Sequence, residues 1–215
     1  MCNKSFPKKL VVISPPQTQE GEREVAIELI RAGIDGFHIR KPGFTREQTE
    51  AYIGTYPERY RNALILHDHH SLADQYDLAG IHITGRHKGQ GLENTYAHRQ
   101  VSISVHSPDE LLQLEQVYTY AFLSPVFDSI SKKGYRAGFD LEELKNFFRQ
   151  HRPKTPVVAL GGIHPGNVNK LRSVGFDGIA LLGAIWMEKA SHRVSEVIKN
   201  FLKIKEAIHI TDQKT

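Results

Sequence analysis

Short apolar runs alternate with longer amphipathic stretches from one end of the chain to the other. Eight runs read as strands: Leu10–Ser14, Gly36–Ile39, Ala63–Leu66, Gly80–Ile83, Val101–Val105, Tyr120–Leu123, Pro156–Leu160 and Gly178–Leu182. Each is rich in Val, Ile, Leu or Phe and bounded by Gly, Asp or Pro, the pattern of strands buried in a parallel sheet. Helices are predicted between them. Val25, Ala26, Leu29 and Ile30 fall at helical spacing within Glu22–Ala32. Leu111, Leu112 and Leu114 follow Ser107-Pro-Asp-Glu110, which reads as a capping box with proline in the first helical position. Leu141, Leu144, Phe147 and Phe148 mark another helix, and Val194–Ile204 the last.

Strands and helices in regular alternation predict parallel pairing with right-handed crossovers. Two segments echo each other, Ala32-Gly-Ile-Asp-Gly-Phe37 and Val174-Gly-Phe-Asp-Gly-Ile179; each ends a helix with Gly and enters a strand through Asp-Gly. Eight units of about 27 residues are near the minimum for a closed (β/α)8 barrel. The expected fold is therefore α/β, a TIM barrel forming a single compact domain over residues 1–215, with an open doubly wound sheet as the rival.

With 215 residues, 40% of them hydrophobic, the chain can build a core without disulfides. Its one cysteine, Cys2, excludes an intramolecular disulfide and points to a reducing, cytoplasmic setting. The opening MCNKSFPKKL has no apolar stretch of the signal-peptide kind, and no apolar run approaches spanning length, so neither secretion nor membrane insertion is expected. A net charge of +4 suits a phosphorylated metabolite. The basic residues are dispersed and not interleaved with aromatics, so nucleic acid is not an expected partner. A homodimer through the helix at Val194–Ile204 is possible on sequence grounds.

Barrel active sites are built just past the strand ends. Five of the 12 histidines, His38, His67, His82, His106 and His164, lie in or just after a proposed strand, as do Arg40, Lys41, Asp68, Thr84 and Ser124. A strand histidine is equally a hydrogen-bonded core imidazole. His67-Asp-His-His70 is not read as a metal set, because adjacent residues at a strand end point to opposite faces. Gly161, Gly162 and Ile163 after the seventh strand, with Leu182 and Gly183 after the eighth, are the expected phosphate-binding positions, where main-chain N–H groups can approach an anion. The alternative is that these glycines only relieve crowding. The segment Asp128–Gly138 carries Ser129, Ser131 and Lys132, hydroxyl and ammonium groups suited to a phosphate. His106 is the leading candidate for acid/base catalysis, being held between a strand end and a helix cap and carrying a side chain that can take and return a proton in one turnover.

From about Leu10 to Lys203 the chain resembles the thiamine phosphate synthase/TenI family of small (β/α)8 barrels. The likeness is carried by Phe37-His-Ile-Arg40, Leu66-His-Asp68, Gly80-Ile-His-Ile83, Ser104-Val-His-Ser107, Ser124-Pro-Val-Phe127, Pro156-Val-Val-Ala-Leu-Gly-Gly-Ile163 and Asp177-Gly-Ile-Ala180. The resemblance implies one of two chemistries. The synthase joins a pyrimidine methyl diphosphate to a thiazole phosphate with magnesium, and its pattern has Gln-Leu-Arg-Glu-Lys after strand two, Asn-Asp after strand three and a further Asp after strand four. Here the first reads His38-Ile-Arg-Lys-Pro42, with Pro42 in the Lys slot and Lys41 expected to leave the strand on the other side. The second keeps Asp68 alone, and Ile83-Thr-Gly-Arg-His87 supplies no carboxylate. The TenI branch aromatises a carboxythiazole phosphate tautomer by proton transfer and shares the Val-His-Ser that contains His106. The expectation is thus a TenI-like thiazole tautomerase of thiamine biosynthesis, with His106 as acid/base. Arg40 would hold the substrate carboxylate, and His38, Lys132, Ser129 and Ser131 would make polar contacts. No cofactor is expected. The alternative is the synthase, with magnesium on Asp68; a third possibility is a non-catalytic thiazole-phosphate regulator.

Overall fold

The computed structural model describes Phe6 and residues 8–128, 138–186 and 194–209. Eight parallel strands follow one another around a closed barrel in chain order: β1 (Lys9–Ile13), β2 (Gly36–Ile39), β3 (Leu64–Leu66), β4 (Gly80–Ile83), β5 (Gln100–Val105), β6 (Tyr120–Leu123), β7 (Val157–Leu160) and β8 (Gly178–Leu181). The ring closes where β8 pairs with β1, Ile179 opposite Leu10 and Ala180 opposite Val11. Closure settles the choice against an open sheet. All eight strands lie within one residue of the apolar runs at either end, because each run is a two-sided buried segment.

Outside the barrel lie α1 (Glu22–Arg31), α2 (Arg46–Gly54), α3 (Glu58–Arg61), α4 (Leu72–Gln75), α5 (Leu92–Thr95), α6 (Pro108–Leu112), α7 (Leu141–Gln150), α8 (Gly183–Trp186) and α9 (Val194–His209). With so few residues per unit, the crossovers from β3 to β5 keep only single helical turns. Trp186 locks α8 to the barrel by donating from Nε1 to the carbonyl of Ile13 at 2.7 Å. The final helix, α9, runs five residues past its predicted end at Ile204, and Phe201, Ile204 and Ile208 are buried against the barrel.

Strand alternation divides the apolar side chains into two layers. Leu10, Val12, Phe37, Ile39, Leu64, Leu66, Ile81 and Ile83 face outward beneath the helices. Val11, Ile13, Ile65, Tyr120, Phe122, Val158 and Ala180 fill the interior. That interior is apolar on the β6–β1 side and polar on the β2–β5 side, where His38, His67, His82 and Ser102 are buried.

The echoed Asp-Gly segments are two copies of one device. Asp35 Oδ2 accepts from the N–H of Leu10 at 2.6 Å, and Asp177 Oδ2 accepts from the N–H of Val157 at 3.0 Å. Each aspartate thus ties the foot of its own strand to the strand before it, in β1 and β7 respectively. The glycine that follows is needed for space: a Cβ on Gly36 would lie 2.9 Å from Cδ1 of Ile65, and one on Gly178 would collide with the carbonyl oxygen of Lys9. Hydrogen bonds to a charged acceptor are worth roughly 1.5–3 kcal/mol. Asp177→Ala is therefore expected to lower the unfolding free energy by about that much, read as a reduced urea midpoint with an unchanged slope.

Candidate functional site

The carboxyl ends of the strands carry Arg40, Asp68, His106 and the Gly161–Gly162 turn, with His67 buried beneath them. His106 follows β5 directly and is exposed. Its Nδ1 lies 3.2 Å from the carbonyl oxygen of Ser124. A carbonyl can only accept, so Nδ1 carries the hydrogen, and the neutral ring presents a bare Nε2 lone pair.

The backbone of His106 is anchored by Glu110, whose Oε1 accepts from its N–H at 3.2 Å. This corrects the predicted capping box. Ser107 Oγ does accept from the N–H of Glu110 at 3.1 Å, but the Glu110 carboxylate reaches past the cap residue to His106. Lys88 donates to its other oxygen at 2.8 Å and holds the Glu110 carboxyl below its usual range.

Arg40 follows β2, half-buried, with its main chain tied to Ser14: its N–H donates to Ser14 Oγ at 2.8 Å. Its guanidinium has no ion-pair partner among the described residues. Lys41 leaves on the opposite side, as alternation requires. Its Nζ is buried beneath α1 and bonds Glu22 at 2.6 Å and the carbonyl of Pro15 at 2.8 Å. Tyr52 also donates to Glu22 and bonds Tyr56, completing a buried network away from the mouth. Burial depresses the Lys41 ammonium, with Glu22 opposing the shift.

Asp68 is not free. Arg86 Nη2 donates to its two oxygens at 3.0 and 3.4 Å, and His87 Nε2 lies 3.6 Å from Oδ1. Thr84 fixes the His87 ring from the other side, 3.0 Å from Nδ1. Arg86 and His87 were noted in the sequence only for the carboxylate they lack; the structure shows a guanidinium placed against Asp68. Magnesium prefers hard anionic oxygens. A single carboxylate, already paired with Arg86, does not provide them, so these residues do not fit the ion that the synthase pattern implies.

His38 requires a correction. It was expected at the substrate, but it points inward from the middle of β2 and is wholly buried. Its Nε2 lies 2.6 Å from the Tyr120 hydroxyl and its Nδ1 lies 3.0 Å from His67 Nε2. Beside them His82 stacks on His67 with ring centres 4.3 Å apart, and Ser102 and Ser104 each lie 2.8 Å from one of its nitrogens. Burial drives all three imidazoles to the neutral form. His38 is pushed down to about 3, with Lys9 adding repulsion. His67 and His82 are held well below the usual range, the neighbouring rings adding to the burial effect.

Gly161 and Gly162 adopt φ of 107° and 63°, which favour glycine. They also have a packing reason to be glycine. A Cβ on Gly161 would lie 2.9 Å from Cα of Pro125, and one on Gly162 would collide with the carbonyl of Asp128. Asn167 braces the turn, its Nδ2 donating to the Gly162 carbonyl at 2.9 Å and its Oδ1 accepting from the N–H of His164 at 2.9 Å. Ile163 is buried beneath it, and Leu182 and Gly183 stand at the neighbouring end of β8. Ser129, Ser131 and Lys132 lie outside the described residues.

The neutral histidines generate a pH prediction. Unfolded histidines bind protons below about pH 6.5, whereas the buried rings do not, so the unfolded state binds more protons as pH falls. Stability should be constant above about pH 7 and then fall toward acid, by about 1.4 kcal/mol per pH unit for each ring kept neutral. Urea unfolding at several pH values, with EDTA present, reads the slope. His82→Asn should make it shallower.

Similar proteins place the chain in a family. The family model described as thiamine monophosphate synthase (TMP-TENI) matches residues 10–185. The thiamine-phosphate synthase of Oceanobacillus iheyensis is 25% identical over 191 residues, covering 85% of this chain and 92% of that protein. That of Clostridium acetobutylicum is 32% identical over 136 residues, 60% of this chain and 61% of that one. A crystal structure titled thiamine phosphate pyrophosphorylase from Bacteroides thetaiotaomicron superposes with a TM-score of 0.76 at 29% identity, covering 93% of this chain and 96% of its own. Phosphoribosyl anthranilate isomerase from Thermotoga maritima, 13% identical with a TM-score of 0.61, shares the fold alone. No described helix is long and apolar enough to cross a membrane. With its barrel, its strand-end site and a family match over most of its length, the chain belongs to the thiamine monophosphate synthase/TenI family, enzymes of thiamine biosynthesis that act on small phosphorylated substrates.

Proposed function

We propose that this member of the family is a thiazole tautomerase, aromatising a carboxythiazole phosphate tautomer by proton transfer on His106. The observation that carries the reading is the His106 ring itself: Nδ1 is committed to the Ser124 carbonyl, so Nε2 is left as an oriented base at the barrel mouth. Nε2 takes the ring proton of the substrate, and the resulting imidazolium returns a proton to the exocyclic carbon. The proton count balances, and the gain of aromaticity drives the step. Arg40, with no ion-pair partner among the described residues, suits the substrate carboxylate through two parallel hydrogen bonds. The phosphate is assigned to the main chain around Gly161, Gly162, Ile163, Leu182 and Gly183, with Ser129, Ser131 and Lys132 as further polar contacts. The reaction as drawn uses no metal, in keeping with the Arg86–Asp68 pair.

The names of the relatives favour a second reading, the transferase that couples hydroxymethylpyrimidine diphosphate to thiazole phosphate. Against it stand Pro42 in the diphosphate-gripping position and Asp68 already paired with Arg86. The two readings separate cleanly. Purified protein given both substrates and magnesium should release no pyrophosphate; steady release with thiamine phosphate formed would establish the transferase. His106→Asn should cut tautomer turnover at least about a hundredfold, the low end for general acid–base catalysis. Retained turnover in that variant would remove His106 from the mechanism.

A further inference from the structure

We propose that His38, His67 and His82 form a binding site for one divalent transition-metal ion inside the barrel, apart from Asp68 and from the His106 mouth. The three rings come from the adjacent elements β2, β3 and β4 and are all buried; one nitrogen from each lies within 4.8 Å of the others. Facing nitrogens of His38 and His67 are 3.0 Å apart. Two imidazoles on a tetrahedral zinc, at roughly 2.0–2.1 Å each, have nitrogens roughly 3.3 Å apart. The pair is thus spaced within a few tenths of an ångström of what one ion needs.

The surroundings match a metal-bound set as well. Ligating histidines use their second nitrogen to bond an oxygen that fixes ring and tautomer. His38 has the Tyr120 hydroxyl there, and His82 has Ser102. His67 departs from this pattern: its second nitrogen, Nδ1, is buried and finds no hydrogen-bond partner among the described groups. Coordination would displace the His38–His67 hydrogen bond and one serine from His82, and would turn His82 out of its stack on His67. The hydrogen shared between His38 Nδ1 and His67 Nε2 moves to the non-ligating nitrogen of its ring, so each ring stays neutral with one hydrogen and no net proton is released. Three imidazoles without a carboxylate select zinc, cobalt, nickel, copper or iron over magnesium or calcium.

The test uses the full chain, stripped with chelator and titrated with Zn2+ by calorimetry and with Co2+ by visible absorption. One equivalent per chain is expected, together with a raised melting temperature. His67→Gln should weaken binding at least about a hundredfold, and Tyr120→Phe, which keeps the core volume, by about ten- to a hundredfold. His98→Asn, on the surface, should change nothing. Because His67→Gln removes a core contact, 15N spectra of the wild-type histidine rings provide a variant-free readout. Zinc should shift the His38, His67 and His82 nitrogens. Absence of uptake, shifts confined to other histidines, or affinity unchanged in both Tyr120→Phe and a folded His67→Gln would each overturn the assignment.

Discussion

The parity of the strands as the barrel closes is the constraint on which the rest depends. Once β8 pairs with β1, every second residue must point into a lumen that holds side chains and little else. One step along a strand then decides between three fates. Phe37 packs under the helices, His38 enters the lumen, and past the strand end Arg40 reaches the mouth while Lys41 turns away to Glu22. The Asp35 and Asp177 clamps hold the register that makes this assignment unique, since a one-residue slip would exchange lumen and helix faces.

Much of this was legible in the chain. The eight apolar runs marked all the strands, because β-branched and aromatic runs bounded by Gly, Asp and Pro have few other structures open to them. The echoed Asp-Gly segments were visible as a repeat, although their role as clamps needed the register. Lys41 was expected off the mouth, from alternation alone. What stayed hidden was depth. Alternation says that His38 points inward but not that it is wholly buried among His67, His82 and Tyr120. The single-turn helices of the β3–β5 crossovers were also invisible, since four residues carry no period. Glu110 was read as a capping-box partner because spacing cannot show that its carboxylate reaches one residue further, to His106.

At the mouth, Asp68 is paired with a cation and not grouped with other carboxylates. Arg86 stands against Asp68 where the synthase pattern would gather carboxylates, so a lone carboxylate there already has a cationic partner within the protein. His106, by contrast, has what proton transfer asks for: an anchored backbone, a defined tautomer and an exposed nitrogen. The lumen histidines lie beneath, neutral, adding no charge to the mouth and making stability fall in acid.

The most direct measurement is proton NMR of the reaction in deuterated buffer with EDTA, starting from the carboxythiazole phosphate tautomer. Transfer through an exposed imidazole predicts conversion to the aromatic thiazole phosphate with solvent deuterium on the exocyclic carbon. A substrate left unchanged by folded protein would contradict a metal-free proton-transfer site at His106.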